Sequence, residues 1–209
     1  AIDNILRYSG SDTKILFILR EPIGRLKSQY QYIAELGFEK LDIKDALEAE
    51  AYRLSKNWSS IYAYQKQGLY AEGIKAFKKA FVNVHVMFFE ELIAEPDVQM
   101  NKVYHFLDIP SNDLGEGSTF NKSGIPRNRA IHNFLMTKNP VRTAFAKVMR
   151  SFISEDHLLL LRDKIRGMNQ KRNSGIEISN DLKQTLKDFY KEDQKELERL
   201  LGRTLPWTA

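Results

Sequence analysis

The sequence predicts an α/β layered fold with a parallel sheet flanked by helices and a helix-rich C-terminal half, and three observations predict it. Two short apolar runs, "KILFIL" at 14–19 and "VHVMFF" at 84–89, are rich in β-branched and aromatic residues and bounded by polar or turn residues. Their apolarity is continuous rather than alternating, as in strands covered on both faces. Amphipathic segments separate them, and strand, helix, strand in that order implies a right-handed crossover.

Each element follows from its own pattern. Residues 22–36 place Ile23, Leu26, Tyr30, Ile33 and Ala34 on one helical face, and Pro22 suits the first turn because an N–H there has no helical partner. The stretch 42–66 is less sharply bounded. Residues 69–81 give another amphipathic helix ahead of the second strand, and "PDVQMNKVYHFLDIP" a helix that ends before Pro110. A loop with Gly115, Gly117 and Gly124 follows, then helices near 129–150, 155–167 and 179–201, the last with "LKQTLKDFYKEDQKELERLL" at clear helical period.

A chain of 209 residues is long enough for one domain that hides roughly 70% of its unfolded surface, so 1–209 is expected to form a single domain. Hydrophobic residues at 43% and charged residues at 28% are ordinary globular values and argue against disorder or a fibre. No apolar run approaches the roughly 20 residues of a membrane span. The opening "AIDNILRYSG" lacks the basic start and apolar centre of a secretory signal, so the chain is expected to be cytoplasmic or already processed. The absence of cysteine excludes disulfides, zinc thiolates and thiol catalysis. With no His-x-x-x-His pair and no carboxylate-rich calcium loop, no metal site is expected. A net charge of +5 favours an anionic partner, although the basic residues are scattered.

The most informative stretch is "KILFILREPIGRLKSQY", residues 14–30. In doubly wound sheets ligands sit outside the carboxyl ends of strands, where Arg20 falls. On the following helix Glu21, Arg25, Ser28 and Tyr32 recur at spacings of four, three and four, a polar stripe opposite the apolar face. A guanidinium at the strand exit and a hydroxyl on the helix can clamp one phosphate, because arginine offers a planar fork of donors and serine a short neutral one. The alternative is a solvated helix face with Arg20 paired to a nearby carboxylate, and spacing alone leaves both open.

This stretch resembles the 3′-phosphate-binding segment of sulfotransferases that use 3′-phosphoadenosine 5′-phosphosulfate (PAPS). There an apolar strand ends in Arg, a Pro follows two places on and Ser lies eight residues after the Arg, positions held here by Arg20, Pro22 and Ser28. "GLYAEGIKAFKKAF" and "VHVMFFEELIAEPDVQMNKVYHFLDIP" are similar to the family's Gly-x-Tyr helix, second core strand and closing Phe-Leu-x-Ile-Pro. Glu90 and Leu92 match the strand ending, while Phe89 replaces a Tyr that many soluble members carry. "FNKSGIPRNRAIHNFL", 120–135, resembles the loop that closes over the cofactor in the heparan-type and bacterial branch, and "FYKEDQKELERLLGRTLPW" its terminal helix and closing Trp. The resemblance implies a P-loop-NTPase-like parallel sheet and a PAPS-dependent enzyme that sulfates a hydroxyl or amine of a carbohydrate or other hydroxylated metabolite, with no nucleic-acid partner. It implies cofactor contacts from Arg20, Ser28, Tyr70, Lys122, Arg127 and Arg129. Tyr70 has a second reading, a staple for its own helix, and the 120–135 segment a second reading as a plain surface loop.

The family's 5′-phosphosulfate loop, a Gly, Ser or Thr, and Lys turn related to the P-loop, has no counterpart here. "GEGSTF", 115–120, has two glycines in rhythm but Phe120 at the third place and no preceding strand. The chain is therefore expected to correspond to the C-terminal two-thirds of such an enzyme and to need that earlier segment for catalysis. The catalytic base is unassigned: His85, His105 and His157 read as structural or exposed, and His132 is the nearest to a candidate loop. Tyr32 stands where some heparan-type members carry His, lining the acceptor cleft or simply exposed. Trp58 and Trp207 are assigned to packing, and Glu90-Glu91 and Glu155-Asp156 to capping or solvated charge. The rival class is a non-catalytic basic module for nucleic acid or acidic polymer, which should gather basic residues and aromatics on one surface.

Overall fold

The computed structural model describes residues 1–111, 124–126, 170–172 and 176–207. The chain divides into two units, one of residues 1–26, 65–119 and 180–209, the other of 27–64 and 120–179. The expected helices near 129–150 and 155–167 lie outside the described residues.

The first unit holds α1 (Ile2–Ser9), β1 (Ile15–Leu19), the opening of α2 (Pro22–Glu35), α5 (Ala71–Ala80), β2 (Val84–Phe88), α6 (Phe89–Ala94), α7 (Pro96–Leu107) and α8 (Asn180–Leu201). β1 and β2 pair in parallel, in a register from Ile15 opposite Val84 to Leu19 opposite Phe88. The long connection between them, with α5 packed back on the sheet, is what a parallel pair requires. Leu19, Phe88 and, beside them, Phe17 and Val86 pack against Ala71 and Ile74 of α5, Leu197 of α8, Leu205 and Trp207. Trp207 stands edge-on to Phe88 at 5.1 Å between ring centres, so its assignment to packing holds.

The expectation of strands covered on both faces holds for only one face of β1. Leu16 and Ile18 point the other way and are 36% and 54% exposed, because α5 and α8 cover only the side that carries Phe17 and Leu19. His85 is structural, stacked on Phe106 at 5.2 Å, and burial together with Lys102 depresses its pKa. α7 ends at Asp108 in the left-handed region (φ 58°), a conformation that Asp tolerates, and Lys14 pairs with its carboxylate.

The second unit contains the rest of α2, α3 (Ile43–Glu48), α4 (Glu50–Ser55) and a 3₁₀ turn at Ser60–Tyr62. The unbounded helical stretch of the sequence is therefore broken at Ala49 and again after Ser55. Asp42 starts α3 by accepting from Asp45 N–H at 3.0 Å. Tyr30 and Ile33 continue the buried face of α2, and Tyr30 meets Tyr64 at 5.9 Å. Buried Arg53 forks onto buried Glu39, which also accepts from the Tyr64 hydroxyl at 2.8 Å. In this unit Gly124–Pro126 (β3) and Gln170–Arg172 (β4) form an antiparallel pair. Trp58 departs from its packing assignment: it is 47% exposed, lying over the Arg53 guanidinium at 5.3 Å with Tyr62 at its edge.

Candidate active site at the strand exit

β1 delivers Arg20 to the turn before α2. Backbone groups at a strand's end lose their ladder partners and need others. Here side chains supply them: the Tyr70 hydroxyl donates to the Arg20 carbonyl at 2.9 Å, and Glu90 Oε1 accepts from Glu21 N–H at 2.9 Å. Glu21 then starts α2, its carboxylate accepting from Ile23 N–H at 3.0 Å and Gly24 N–H at 2.5 Å. Glu21 was expected as a member of the helix stripe; it is instead the residue that caps the helix, because Pro22 takes the first helical position.

The Arg20 guanidinium lies over the Phe89 ring, 4.8 Å from its centre. Among the described residues it forms no ion pair and no side-chain hydrogen bond, so a carboxylate partner for Arg20 is not found among them. Gly24 makes room for this turn: a Cβ there would stand 3.0 Å from Glu21 Oε2 and 3.6 Å from Arg20 Nε. One helix-turn later Arg25 is half-buried, with Gln67 Oε1 at 3.4 Å from its Nη1.

Tyr70 sits at the N-cap of α5, where it contributes no side-chain cap of its own. The cap comes from α8: Asp193 Oδ2 accepts from Tyr70 N–H at 2.8 Å and Oδ1 from Ala71 N–H at 3.1 Å. Burial raises the Asp193 carboxyl above its usual range while these two N–H bonds pull it down. Burial likewise pushes the Tyr70 hydroxyl up to about 12, against the field of Arg25, so at neutral pH it is a donor. Next to Tyr70, Gly68 allows a close approach, since a Cβ would lie 2.7 Å from the ring of Tyr190, whose hydroxyl donates to Gln65 C=O.

Of the sequence-predicted site residues, the structure brings Arg20 and Tyr70 together. Ser28 and Tyr32 lie on exposed positions of α2 in the second unit, Tyr32 60% exposed. Lys122, Arg127 and Arg129 lie outside the described residues, as do His132 and His157. The sequence reading named Phe89 only as a replacement, Glu90 as part of a strand ending and as capping or solvated charge, and Asp193 not at all. Asp193 had a signal: it shares a helical face with buried Leu186, Tyr190 and Leu197, where a carboxylate needs a partner. Among the described residues no group of His, Asp and Glu could hold a metal ion, and no helix is long and apolar enough to cross a membrane.

The first unit is a parallel α/β unit with Arg20 directly after the carboxyl end of β1. The chain belongs to the sulfotransferase domain family, whose model matches residues 6–165. Its fold is similar to that of a solved sulfotransferase from Alicyclobacillus acidocaldarius, with a TM-score of 0.64 and 20% identity over 98% of this chain. The chain spans 60% of the length of that protein. No curated protein matches the sequence.

Proposed function

We propose that this chain forms the 3′-phosphate-binding portion of a PAPS-dependent sulfotransferase acting on a hydroxyl or amine of a carbohydrate or other hydroxylated metabolite. Arg20 carries the proposal: its guanidinium is oriented on Phe89 yet has no carboxylate among the described residues, so its donors remain for an anion. Ser28, exposed on α2, supplies a second, neutral donor, and Lys122, Arg127 and Arg129 are proposed to face the same nucleotide. PAPS, when bound, supplies the sulfuryl group, and the family's chemistry demands positioning and charge stabilisation more than covalent work by the protein. Arg20 and Ser28 meet the first demand by holding the nucleotide through its 3′-phosphate.

The rival reading of a basic polymer-binding surface finds little support on α8, where Lys195 pairs with Glu192 and Arg199 with Glu196 on the same helix. Calorimetric titration with adenosine 3′,5′-bisphosphate beside 5′-AMP tests the proposal. A preference for the 3′-phosphate that falls at least 10-fold in Arg20→Ala is the expected result, since one charge-assisted contact contributes about 1.5–3 kcal/mol. Equal binding of both ligands, unchanged by Arg20→Ala in a folded chain, overturns it.

A further inference from the structure

The surroundings of Arg20 carry a further assignment. We infer that Tyr70, Phe89 and Glu90 are positioning residues for Arg20, so that 3′-phosphate selectivity depends on three side chains that hold Arg20 rather than the 3′-phosphate itself; this rests on the reading of Arg20 above. Each holds a different part of the residue. Tyr70 donates to the Arg20 carbonyl, Glu90 accepts from the Glu21 N–H on the opposite edge of the same peptide, and the Phe89 ring carries the guanidinium. Together they fix the plane of the peptide that follows Arg20 and the far end of its side chain.

The two hydrogen bonds fall on the Arg20–Glu21 peptide, just beyond the last β1 residue, Leu19, where the sheet ladder has stopped. Without them the Arg20 carbonyl and Glu21 N–H would turn to water, and the arginine would sample several rotamers. Phe89 limits those rotamers by a ring contact that takes up no hydrogen-bond acceptor, which leaves guanidinium N–H groups for an anion. An aspartate or glutamate in its place would also orient the arginine but would occupy the donors. Glu90 is committed to one bond: its Oε2 is buried without a hydrogen-bond partner among the described residues. Tyr70 remains a donor throughout the working pH range, consistent with its raised pKa.

The test measures Kd for adenosine 3′,5′-bisphosphate and for 5′-AMP on the whole chain, with thermal unfolding as a folding control. The variants are Arg20→Ala, Tyr70→Phe, Phe89→Leu, Glu90→Ala and Glu90→Gln. Tyr70→Phe, Phe89→Leu and Glu90→Ala are each expected to lower the 3′-phosphate preference by about 3- to 10-fold, the effect of one hydrogen bond or ring contact, with 5′-AMP affinity unchanged. Glu90→Gln keeps an acceptor for Glu21 N–H and is expected to restore the preference. A merely structural role would alter melting temperature, or both affinities equally, and leave their ratio alone. A wild-type ratio in Tyr70→Phe and Glu90→Ala, beside a lost preference in Arg20→Ala, overturns the positioning assignment and leaves the proposed function standing. An unchanged ratio in Arg20→Ala overturns both. Should Glu90→Ala fail to fold, Tyr70→Phe, which removes a single oxygen, decides.

Discussion

Arg20 and Arg53 each lie over aromatic rings, yet the two units use them in opposite ways. Arg53 is buried, with its fork filled by Glu39 at 2.5 and 3.0 Å and its faces against Trp58 and Tyr62 at 5.3 and 4.9 Å. Glu39 raises the Arg53 pKa. Burial alone would raise the Glu39 carboxyl, but bonds from Arg53, Leu41 N–H and the Tyr64 hydroxyl outweigh it and hold the carboxyl below its usual value. Tyr64 is in turn pushed far up by burial and by Glu39. Arg20 has the ring without the carboxylate. An arginine whose edge is satisfied is part of the framework; an arginine ordered only through its face is equipped to recognise something else.

The widest separation between the two should appear in stability. Arg53→Ala leaves Glu39 buried and uncompensated and is expected to destabilise the fold by about 3–5 kcal/mol in urea unfolding. Arg20→Ala should stay within about 1 kcal/mol, the value of an exposed cation–π contact. Loss of comparable stability from both would erase the distinction. A charge swap at the ring addresses it from the ligand side: Phe89→Glu gives Arg20 the partner that Arg53 already has, and should lower the 3′-phosphate preference about 10-fold with the melting temperature little changed.

Titration sharpens the same contrast. Because the folded Glu39 carboxyl lies below its ordinary 4.5, the stability it contributes is complete above that value and is lost as pH falls through the folded pKa. Acid unfolding should therefore steepen below about pH 4.5, and Glu39→Gln should flatten that limb while lowering stability at pH 7. Asp193 runs the other way: its folded carboxyl lies above the ordinary 3.8, so its contribution is greatest at low pH and diminishes as pH rises through the folded pKa. Removing the cap with Asp193→Ala should cost about 1 kcal/mol at neutral pH, read by urea unfolding. The smallest effect is expected from Trp58→Ala, about 0.5–1 kcal/mol, since the ring is half-exposed and the Arg53 fork survives without it.

Local pattern made β1, α2, β2, α7 and the last helix legible, because apolar periodicity and a Pro at a helix start act over a few residues. Arg20 was legible for the same reason: a cation directly after an apolar run marks a strand exit. What surrounds it was hidden by distance along the chain. Tyr70 reaches Arg20 across 50 residues, Glu90 reaches Glu21 across 69, and Asp193 reaches Tyr70 across 123. No spacing rule spans such gaps. Glu21 was misplaced on the helix stripe because Glu is outside the small set of residues that usually cap helices. The Glu39–Arg53–Tyr64 cluster escaped for a third reason: buried ion pairs carry no periodicity, so nothing local marks Glu39 or Arg53.

The Asp193 cap also orders events in time. A ribosome releases β1, Arg20 and α5 long before it reaches α8, and until then the first two N–H groups at the start of α5 have only water. Tyr70 belongs to that uncapped turn, and through its hydroxyl so does the carbonyl of Arg20. The nascent chain can thus carry every residue of the strand exit and still lack its final form until α8 has been made.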